Sequence, residues 1–260
     1  MPQGPDGHPT DVCALVLAAG EGRRLRPLTS LRPKPLCPVG GRPLLDLAVD
    51  RARTATDAVA VNVHHGRAAI EEHLAGTSGA AGVHLSVEDG EALGTAGAVA
   101  QLRDWIDGRG VLVVNGDTWA PGDLAEATAG WDRARVRLLA AGEEELRPTS
   151  RIAAAFLPWS EVVRLEPVPS GLWEASWRAL HAAGRLDVVR WDGPCLDCGT
   201  PGRYLAANLA SSDGASVIGE GCVVDGTVTR SVLWPGTVVR RGEALVDAVR
   251  AGAGVTVLVR

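Results

Sequence analysis

The sequence predicts an α/β protein with a mostly parallel sheet and helices on both faces, followed by a short C-terminal left-handed parallel β-helix. Two observations predict the sheet: apolar runs rich in β-branched residues alternate with segments of helical spacing, and the first run ends in glycine. A third predicts the β-helix, because short Val, Ile and Leu pairs alternate with glycine every five to six residues from Ala215 onward. We therefore expect a disordered leader at 1–11, an α/β domain at 12–212 and the β-helix at 213–260.

Strands and helices follow each other in turn along the α/β domain. The first strand, VCALVLAA at 12–19, is a continuous apolar run typical of a buried parallel strand. The other predicted strands are 58–64, 83–88, 110–116, 135–141, 151–157 and 186–191. The predicted helices are 43–55, 68–74, 95–105, 122–131, 169–184 and 199–211. This order implies right-handed βαβ units and a Rossmann-like sheet, in which ligands bind beyond the carboxyl ends of the strands.

Two of the predicted helices carry further signals. Thr200 and Pro201 begin the last one, as an N-cap followed by a proline in the first turn. Trp173 and Trp177 lie one turn apart in the helix at 169–184. We interpret these two tryptophans as core residues, with a platform for a ligand as the alternative.

Composition and charge exclude several classes of function. Hydrophobic residues make up 46% and charged residues 22%, as in ordinary soluble globular proteins. The formal net charge of −5 argues against a general nucleic-acid binder, which carries a basic surface. No apolar run reaches the roughly 18 residues of a membrane span, and the polar start lacks the apolar region of a signal peptide. Five cysteines, an odd number, indicate free thiols in the cytoplasm, and the single Cys195-Leu196-Asp197-Cys198 pair is a weak zinc signal.

Lys34 is the only lysine among the 26 Lys and Arg side chains. It lies between two prolines, in Arg32-Pro33-Lys34-Pro35, which stiffen its loop. A compact ammonium and a planar guanidinium are not interchangeable at a tight oxygen-binding site. We therefore predict that Lys34 binds an anionic ligand; the alternative is a surface lysine retained by chance.

The turn after the first predicted strand is rich in glycine and arginine. Gly20 and Gly22 let backbone N–H groups approach an anion, and three arginines within four positions, Arg24 among them, add positive charge. The turn contains neither the P-loop motif nor Gly-x-Gly-x-x-Gly. Together with Lys34, it predicts a cradle for a triphosphate.

Two aspartates lie where predicted strands end. Asp117 follows the strand at 110–116, and Asp197 lies at a junction between a strand and the helix at 199–211. Two carboxylates at the edge of a sheet can hold Mg²⁺, which takes few carboxylates and completes its shell with water and phosphate oxygens. The alternative for Asp117 is an Asx-turn or a helix cap.

The segment Leu93-Gly94-Thr95-Ala96-Gly97 opens a helix with small residues. Such a segment could let a flat base lie against the backbone, and close packing of the helix on the sheet is the alternative. We count Gly94 and Thr95 among the candidate nucleotide-binding residues.

The segment at 17–46, LAAGEGRRLRPLTSLRPKPLCPVGGRPLLD, resembles the signature of the sugar-1-phosphate nucleotidyltransferases, or NDP-sugar pyrophosphorylases. The motifs VNVHH, EALGTAGAV, VNGD and LDCGTP and the C-terminal repeat then follow in that family's order, so the resemblance covers nearly the whole chain after the leader. The chain is most similar to mannose-1-phosphate guanylyltransferases, which carry LGTAG and a C-terminal β-helix. VNGDTW is also similar to uridylyltransferases that act on amino-sugar phosphates.

The resemblance implies a role for each candidate residue. Gly20 and Gly22 would lie under the nucleotide, and Gly94 beside its base. Arg24 would contact the β- and γ-phosphates. Lys34 would contact the α-phosphate and the incoming sugar phosphate.

The resemblance also implies the metal and the reaction. Asp117 would bind Mg²⁺ and Asp197 would complete the metal site. The substrates would be an NTP, with GTP or UTP favoured, and a sugar 1-phosphate, whose oxygen attacks the α-phosphorus and displaces pyrophosphate. A β-helix tail of this kind would also provide a surface for a homo-oligomer.

One departure from the family concerns the sugar. Its members usually carry a Glu-Lys pair and an Asn-Ala-Gly strand around the sugar, whereas this chain passes from 135–150 to RIAAAFLPW without a second lysine or such an asparagine. Glu143, Glu144 or Glu145 could stand in for the glutamate. Three hypotheses follow: an enzyme that makes an NDP-sugar, with a GDP-mannose-like product favoured; a nucleotidyltransferase for a non-sugar phosphate or phosphonate; and a catalytically weak regulatory subunit that binds nucleotide.

Overall fold

A computed structural model of the protein describes residues 11–147, 149–252 and 254–259. The predicted disordered leader therefore lies, except for Asp11, outside the described residues. The described chain divides into two compact units. The first unit comprises 11–20, 45–116 and 120–195, and the second comprises 21–44, 117–119 and the chain from 196 onward. The predicted domain boundaries at 12–212 and 213–260 stay predictions.

A seven-stranded sheet forms the centre of the first unit in the part of the chain that the structure describes. Its strands, in chain order, are β1 (Val12–Leu17), β2 (Val59–Val63), β3 (His84–Val87), β4 (Gly110–Asn115), β5 (Arg137–Ala141), β6 (Ile152–Leu157) and β7 (Asp187–Trp191). Their spatial order is β7-β5-β6-β4-β1-β2-β3. Neighbouring strands run parallel except at β6, which is antiparallel to β4 and β5. The predicted mostly parallel α/β sheet is confirmed.

The register of β1 brings three strand ends to one edge of this sheet. Leu17, the last residue of β1, pairs with Asn62 in β2 and with Asn115 in β4. The side chains of β1 are almost entirely buried, as expected for a strand covered on both faces. The loops that follow β1, β2 and β4 therefore all leave from the same edge.

The helices are α1 (Leu44–Arg53), α2 (Arg67–Gly76), α3 (Gly94–Gln101), α4 (Arg103–Ile106), α5 (Ala125–Ala129), α6 (Trp159–Val162), α7 (Arg178–Ala182) and α8 (Pro201–Ser211). Short 3₁₀ turns lie at Arg23–Leu25, Leu28–Ser30, Lys34–Leu36 and Ser78–Ala80. None of the described helices has the length and apolar character that crossing a membrane requires.

Three predicted helices differ from the observed ones. The helix expected at 95–105 divides at Leu102, whose ψ of 6° leaves the helical range. The helix expected at 122–131 shortens to α5, because Gly122 has a φ of +133° and the side chain of Asp123 accepts a hydrogen bond from the Ala125 N–H at 2.6 Å. The helix expected at 169–184 begins instead with a π-helical turn at Trp173–Trp177.

The core of the first unit joins the sheet to its helices. Leu15, Val99, Ile106, Leu138 and Leu157 belong to one cluster, and each is at most 1% exposed. Complete burial of an aliphatic side chain of this size contributes about 1.5–3 kcal/mol. This packing holds in place the strand ends from which the site loops leave.

The second unit contains α8 and short strands near the C-terminus. Parallel pairs join 217–218 to 232–233, 223–224 to 238–239, 227–229 to 244–246 and 232–233 to 249–250. The final pair, Ala248–Ala251 with Val255–Leu258, is antiparallel. Short parallel strands at successive offsets are what a β-helix would show, and its turns and handedness stay predictions.

Candidate active site

Lys34 is fixed by the tight turns of its loop. The Leu36 N–H donates to the Pro33 carbonyl at 2.9 Å, and the Cys37 N–H donates to the Lys34 carbonyl at 3.0 Å. The residue is only 5% exposed, so it is not a surface lysine. Burial of an ammonium requires opposite charge or hydrogen-bond acceptors close by.

Two aspartates meet the Lys34 ammonium in the second unit. Its Nζ lies 2.6 Å from Asp117 Oδ2 and 3.3 Å from Asp197 Oδ1. The aspartates are neighbours because Asp197 pairs with Thr118 in a short antiparallel ladder, and the Cys198 N–H donates to the Asp117 carbonyl at 3.1 Å. The three charged residues, far apart in the sequence, thus lie within reach of one another.

Gly22 packs directly against Lys34 and has a left-handed backbone with a φ of +70°. A Cβ atom at this position would lie 2.9 Å from Thr29 Cγ2 and 3.0 Å from Lys34 Cβ. The Thr29 hydroxyl in turn donates to the Gly22 carbonyl at 3.0 Å. Both the conformation and the close approach require glycine here.

Two arginines join the cluster, one predicted and one missed. Arg203 Nη1 donates to Asp197 Oδ2 at 2.8 Å from the first turn of α8. A Cβ atom on Gly199 would lie 3.1 Å from an Nη atom of Arg24 and 2.8 Å from Asp197 Oδ1, so the Arg24 guanidinium and the Asp197 carboxylate both lie close to Gly199. The α8 N-cap is as predicted, because Thr200 Oγ1 accepts from the Arg203 N–H at 3.4 Å.

The positive and negative side chains of this cluster affect one another's ionisation. Burial by itself would raise the pKa of Asp197, but the charges and hydrogen bonds of Lys34 and Arg203 outweigh it and hold the pKa below its ordinary value. Burial raises the pKa of the adjacent Cys198 thiol to about 12, so this cysteine stays protonated at neutral pH. Two carboxylates and three cations (Lys34, Arg24 and Arg203) leave an excess of positive charge, which suits a polyanion.

The carboxylates of Asp117 and Asp197 fit a divalent cation. Their side chains are 41% and 32% exposed, so a ligand can reach their oxygen atoms. Among the described residues, no third His, Cys, Asp or Glu joins them in a metal-binding group. This donor set matches Mg²⁺, which commonly takes one or two carboxylates and obtains its other ligands from substrate phosphates and water.

The other predicted site residues, Gly20, Gly94 and Thr95, belong to the first unit. Gly94 has a φ of +69°, and a Cβ there would lie 2.5 Å from the Ser170 carbonyl oxygen. Close backbone packing, the alternative interpretation of Gly94, is therefore observed, although the partner is a loop and not the sheet. Thr95 Oγ1 accepts from the Leu172 N–H at 2.8 Å.

A buried polar network that the sequence did not reveal ties β2 to the loops that follow β1 and β3 in the first unit. Asn62 Oδ1 accepts from the Ala18 N–H at 2.7 Å, and Asn62 Nδ2 donates to Glu88 Oε1 at 2.7 Å. Glu88 Oε2 accepts from the Leu93 N–H at 2.8 Å, next to Gly94. Asn62 and Glu88 are 2% and 3% exposed. Nothing in these two residue types alone indicates that their side chains are buried.

Comparison with known proteins identifies the family. A family model described as Nucleotidyl transferase matches residues 13–141. The N-acetylmuramate alpha-1-phosphate uridylyltransferase of Caulobacter vibrioides is 30% identical over 228 residues, which cover 75% of this chain and 94% of that protein. This chain belongs to the sugar-1-phosphate nucleotidyltransferase family.

Two further comparisons cover a shorter segment of the sequence or have a lower sequence identity. The N-acetylmuramate alpha-1-phosphate uridylyltransferase of Neisseria meningitidis is 42% identical over 118 residues, but the match spans only 50% of its length and 44% of this chain. A solved structure of a mannose-1-phosphate geranyltransferase from Thermus thermophilus superposes with a TM-score of 0.68 at 20% identity, over 95% of each chain. At this identity the superposition shows the shared fold alone. The family resemblance of the sequence is thus confirmed, and the roles of single residues stay predictions.

Proposed function

We propose that the protein is a nucleotidyltransferase that couples an NTP to a sugar 1-phosphate and releases pyrophosphate. One observation carries the proposal: the buried ammonium of Lys34, the only lysine, lies between the carboxylates of Asp117 and Asp197. Two arginines beside them, Arg24 and Arg203, supply further positive charge for a polyphosphate.

The proposed reaction is a single displacement at phosphorus. An oxygen of the acceptor phosphate attacks the α-phosphorus of the NTP and forms a new P–O bond. The P–O bond between the α-phosphorus and the bridging oxygen breaks, and its electron pair leaves with pyrophosphate. The protein contributes position and charge stabilisation and forms no covalent intermediate.

The basic residues of the second unit receive the phosphates in this proposal. The Lys34 ammonium carries three N–H donors; the two aspartates take two, and the third is available for an oxygen of the α-phosphate or of the acceptor phosphate. Arg24 binds the β- and γ-phosphates. Gly22 provides backbone that an anion can approach closely.

Asp117 and Asp197 would hold Mg²⁺. When bound between these carboxylates, the ion would supply positive charge that offsets the charge of the polyphosphate. Gly20 is proposed to lie under the nucleotide, and Gly94 and Thr95 beside its base.

The nucleotide is proposed to be GTP or UTP. The Leu93–Gly97 motif, similar to that of mannose-1-phosphate guanylyltransferases, favours GTP and a GDP-mannose-like product. The name of the Caulobacter relative, which the match covers over 94% of its length, favours UTP.

A second candidate acceptor is a non-sugar phosphate or phosphonate. The absence of the family's Glu-Lys pair from the sequence, and Ala153, Ala154 and Ala155 on β6, favour that alternative.

A pyrophosphate-release screen tests the proposal. Each NTP is combined with Mg²⁺ and a panel of acceptors that includes mannose, glucose and N-acetylated amino-sugar 1-phosphates and non-sugar phosphates. We expect release with one NTP and one acceptor class, and its loss in the Asp117→Asn variant. Thermal stabilisation by nucleotide with no release from any pair would instead support the regulatory-subunit hypothesis. An active Asp117→Asn variant would contradict the metal assignment.

We also propose that the protein forms a homo-oligomer and acts in the cytoplasm. The tail from Ala215 is proposed to be a left-handed β-helix that joins two copies of the chain. Its exposed apolar side chains support this: Ile218, Val223, Val224, Val238 and Val246 are each at least 41% exposed. Light scattering of the full chain and of Val224→Lys tests the oligomer, and an unchanged mass would contradict it. None of the five cysteines, all of them among the described residues, forms a disulfide, which supports a location in the reducing cytoplasm.

A further inference from the structure

The tail from Ala215 contributes one buried tryptophan to the surroundings of the Lys34 loop. Trp234 follows the short strand at 232–233 and is only 3% exposed. Its backbone is fixed within the tail, because its N–H donates to the Arg250 carbonyl at 2.9 Å and its carbonyl accepts from the Thr237 hydroxyl at 2.9 Å. A side chain on a backbone held in this way can hold other residues in place.

The ring of Trp234 contacts the chain just before Lys34. The guanidinium carbon of Arg32 lies 5.1 Å from the centroid of that ring, a distance at which arginine and indole form a cation–π interaction. Arg32 Nη1 also donates to the Leu36 carbonyl at 3.5 Å, so this side chain spans the turn that carries Lys34. Only Pro33 separates Arg32 from Lys34, and its ring fixes φ, so a shift of Arg32 would be passed on to Lys34.

The indole nitrogen of Trp234 is linked to the chain just after Lys34. Trp234 Nε1 donates to the Tyr204 hydroxyl at 2.9 Å, and that hydroxyl donates to the Pro38 carbonyl. The segment 32–38 is therefore held at both ends by one side chain of the tail, with Arg32 against the ring and Pro38 linked through Tyr204.

The indole face is the principal contact of the Arg32 guanidinium. Among the described residues, no carboxylate forms an ion pair with Arg32. A planar guanidinium stacked on an indole has a defined orientation, which an apolar side chain packed in the same place would not give. Such precision matters beside a reacting phosphate, because a displacement of about 1 Å can lower a rate by about 100-fold.

We propose that Arg32 and Trp234 are positioning residues for Lys34, so that the tail takes part in turnover as well as in assembly. All of these residues belong to the second unit. The inference rests on the proposed function of Lys34, and it does not depend on the handedness of the tail or on its oligomer.

Turnover of two single variants and of the double variant tests the proposal. Arg32→Gln removes the cation, and Trp234→Leu removes the ring but keeps the charge of Arg32. We expect kcat for pyrophosphate release to fall about tenfold in each, and the double variant to lose no more than either one, because the pair acts as a unit. Arg32→Lys keeps a cation for the ring and should regain most of the rate.

Arg109→Gln is the matched control. The Arg109 guanidinium carbon lies 4.8 Å from the centroid of the Trp105 ring in the first unit, and Arg109 Nε donates to the Ile106 carbonyl at 2.8 Å. Loss of this cation–π pair should lower stability to urea about as much as Arg32→Gln does, and leave kcat as in the parent. Parental kcat in folded Arg32→Gln, or multiplied losses in the double variant, would overturn the proposal.

The position of Lys34 can also be measured without turnover. Because Lys34 is the only lysine, labelling with ¹³C-lysine gives one side-chain signal in the folded protein. We expect relaxation of its ε-carbon to give a lower order parameter in Arg32→Gln and a parental one in Arg109→Gln. A parental order parameter in folded Arg32→Gln would overturn the proposal. If the parent releases no pyrophosphate with any substrate pair, the proposed function fails, and the order parameter still decides whether Arg32 positions Lys34.

Discussion

The ammonium nitrogen of Lys34 lies 2.6 Å from Asp117 Oδ2, although the two residues are separated by 83 positions in the chain. Only a folded second unit can bring this pair together, since Lys34 comes from the loop after β1 and Asp117 from the loop after β4. The same ammonium also contacts Asp197, 163 positions away. The desolvation of a buried cation and its two carboxylates carries a cost that their mutual attraction need not repay, so a functional use explains such a cluster better than stability does. Binding of phosphate and Mg²⁺ would be such a use.

Gly22 should be essential for the position of Lys34. Gly22→Ala would place a Cβ about 3 Å from both Thr29 and Lys34 on a backbone with a φ of +70°. We expect it to lower the free energy of unfolding by about 2–3 kcal/mol and to reduce turnover, because the Lys34 loop must shift. Urea unfolding and pyrophosphate release measure the two effects.

Gly41→Ala is the matched control for this substitution. Its backbone has a similar φ of +82°, but a Cβ there would meet no atom within 4 Å. It should cost only the conformational strain, about 1 kcal/mol, and leave turnover intact. Equal effects of the two substitutions would show that the contact with Lys34 is unimportant.

The Asp197 carboxylate should make stability depend on pH. Its pKa lies below the ordinary value, because Lys34 and Arg203 outweigh the effect of burial. Such a carboxylate stabilises the folded state above the unfolded pKa of about 3.9, and the stabilisation is lost as the pH falls through the folded-state pKa. Asp197→Asn should therefore lower the free energy of unfolding at about pH 6 and have progressively less effect below about pH 4. Denaturant unfolding across this range measures the difference, and a difference that grows as the pH falls would contradict the assignment.

Tyr204 should anchor the segment that follows the Lys34 loop. Its hydroxyl donates to the Pro38 carbonyl and accepts from Trp234 Nε1 at 2.9 Å, and the residue is fully buried. Tyr204→Phe would leave a buried carbonyl and a buried indole N–H unpaired, so we expect a loss of about 2 kcal/mol in the free energy of unfolding. Trp234→Phe and the double variant complete a cycle. Additive effects of the two substitutions would show that the hydroxyl and the indole act independently.

Glu88 should hold the start of α3 in place. Its two oxygens accept from Asn62 and from the Leu93 N–H, and the NH₂ group of Glu88→Gln would oppose one of these two donors in either orientation of the amide. We expect a loss of about 2 kcal/mol in the free energy of unfolding and a higher KM for the nucleotide, because the Gly94 turn would shift. Glu91→Gln, an exposed glutamate nearby, should leave both quantities unchanged. A parental KM for the nucleotide in folded Glu88→Gln would show that this network does not affect nucleotide binding.

The strands could be predicted from the sequence because each is a compact apolar run. The seven predicted strands all form, within one or two residues at most ends, since burial in a sheet requires that pattern. The sequence also indicates Lys34 and Asp117 as candidate site residues, because Lys34 is the only lysine and Asp117 is a carboxylate at the end of a strand. Their meeting follows from the rule that ligand-binding loops gather at the carboxyl ends of parallel strands.

Other features depend on tertiary contacts that no local pattern encodes. Arg203 is one of many arginines, and only the fold shows that it donates to Asp197. Asn62 and Glu88 are common polar residues whose burial depends on contacts between β2 and two separate loops. The π-helical turn at Trp173–Trp177 has ordinary helical spacing in the sequence, so no local pattern indicates its irregular hydrogen bonding. Trp173 is 37% exposed, so the interpretation of both tryptophans as core residues is wrong for Trp173.

Turnover of Lys34→Arg tests the central claim most directly. With the NTP and acceptor identified by the screen, pyrophosphate release is compared between the parent, Lys34→Arg and Arg241→Lys, an exposed Arg-to-Lys exchange in the same unit. We expect kcat of Lys34→Arg to fall about 100-fold or more, because a planar guanidinium cannot replace the compact ammonium between two carboxylates, while Arg241→Lys retains parental rates. A folded Lys34→Arg protein with near-parental kcat would contradict the account.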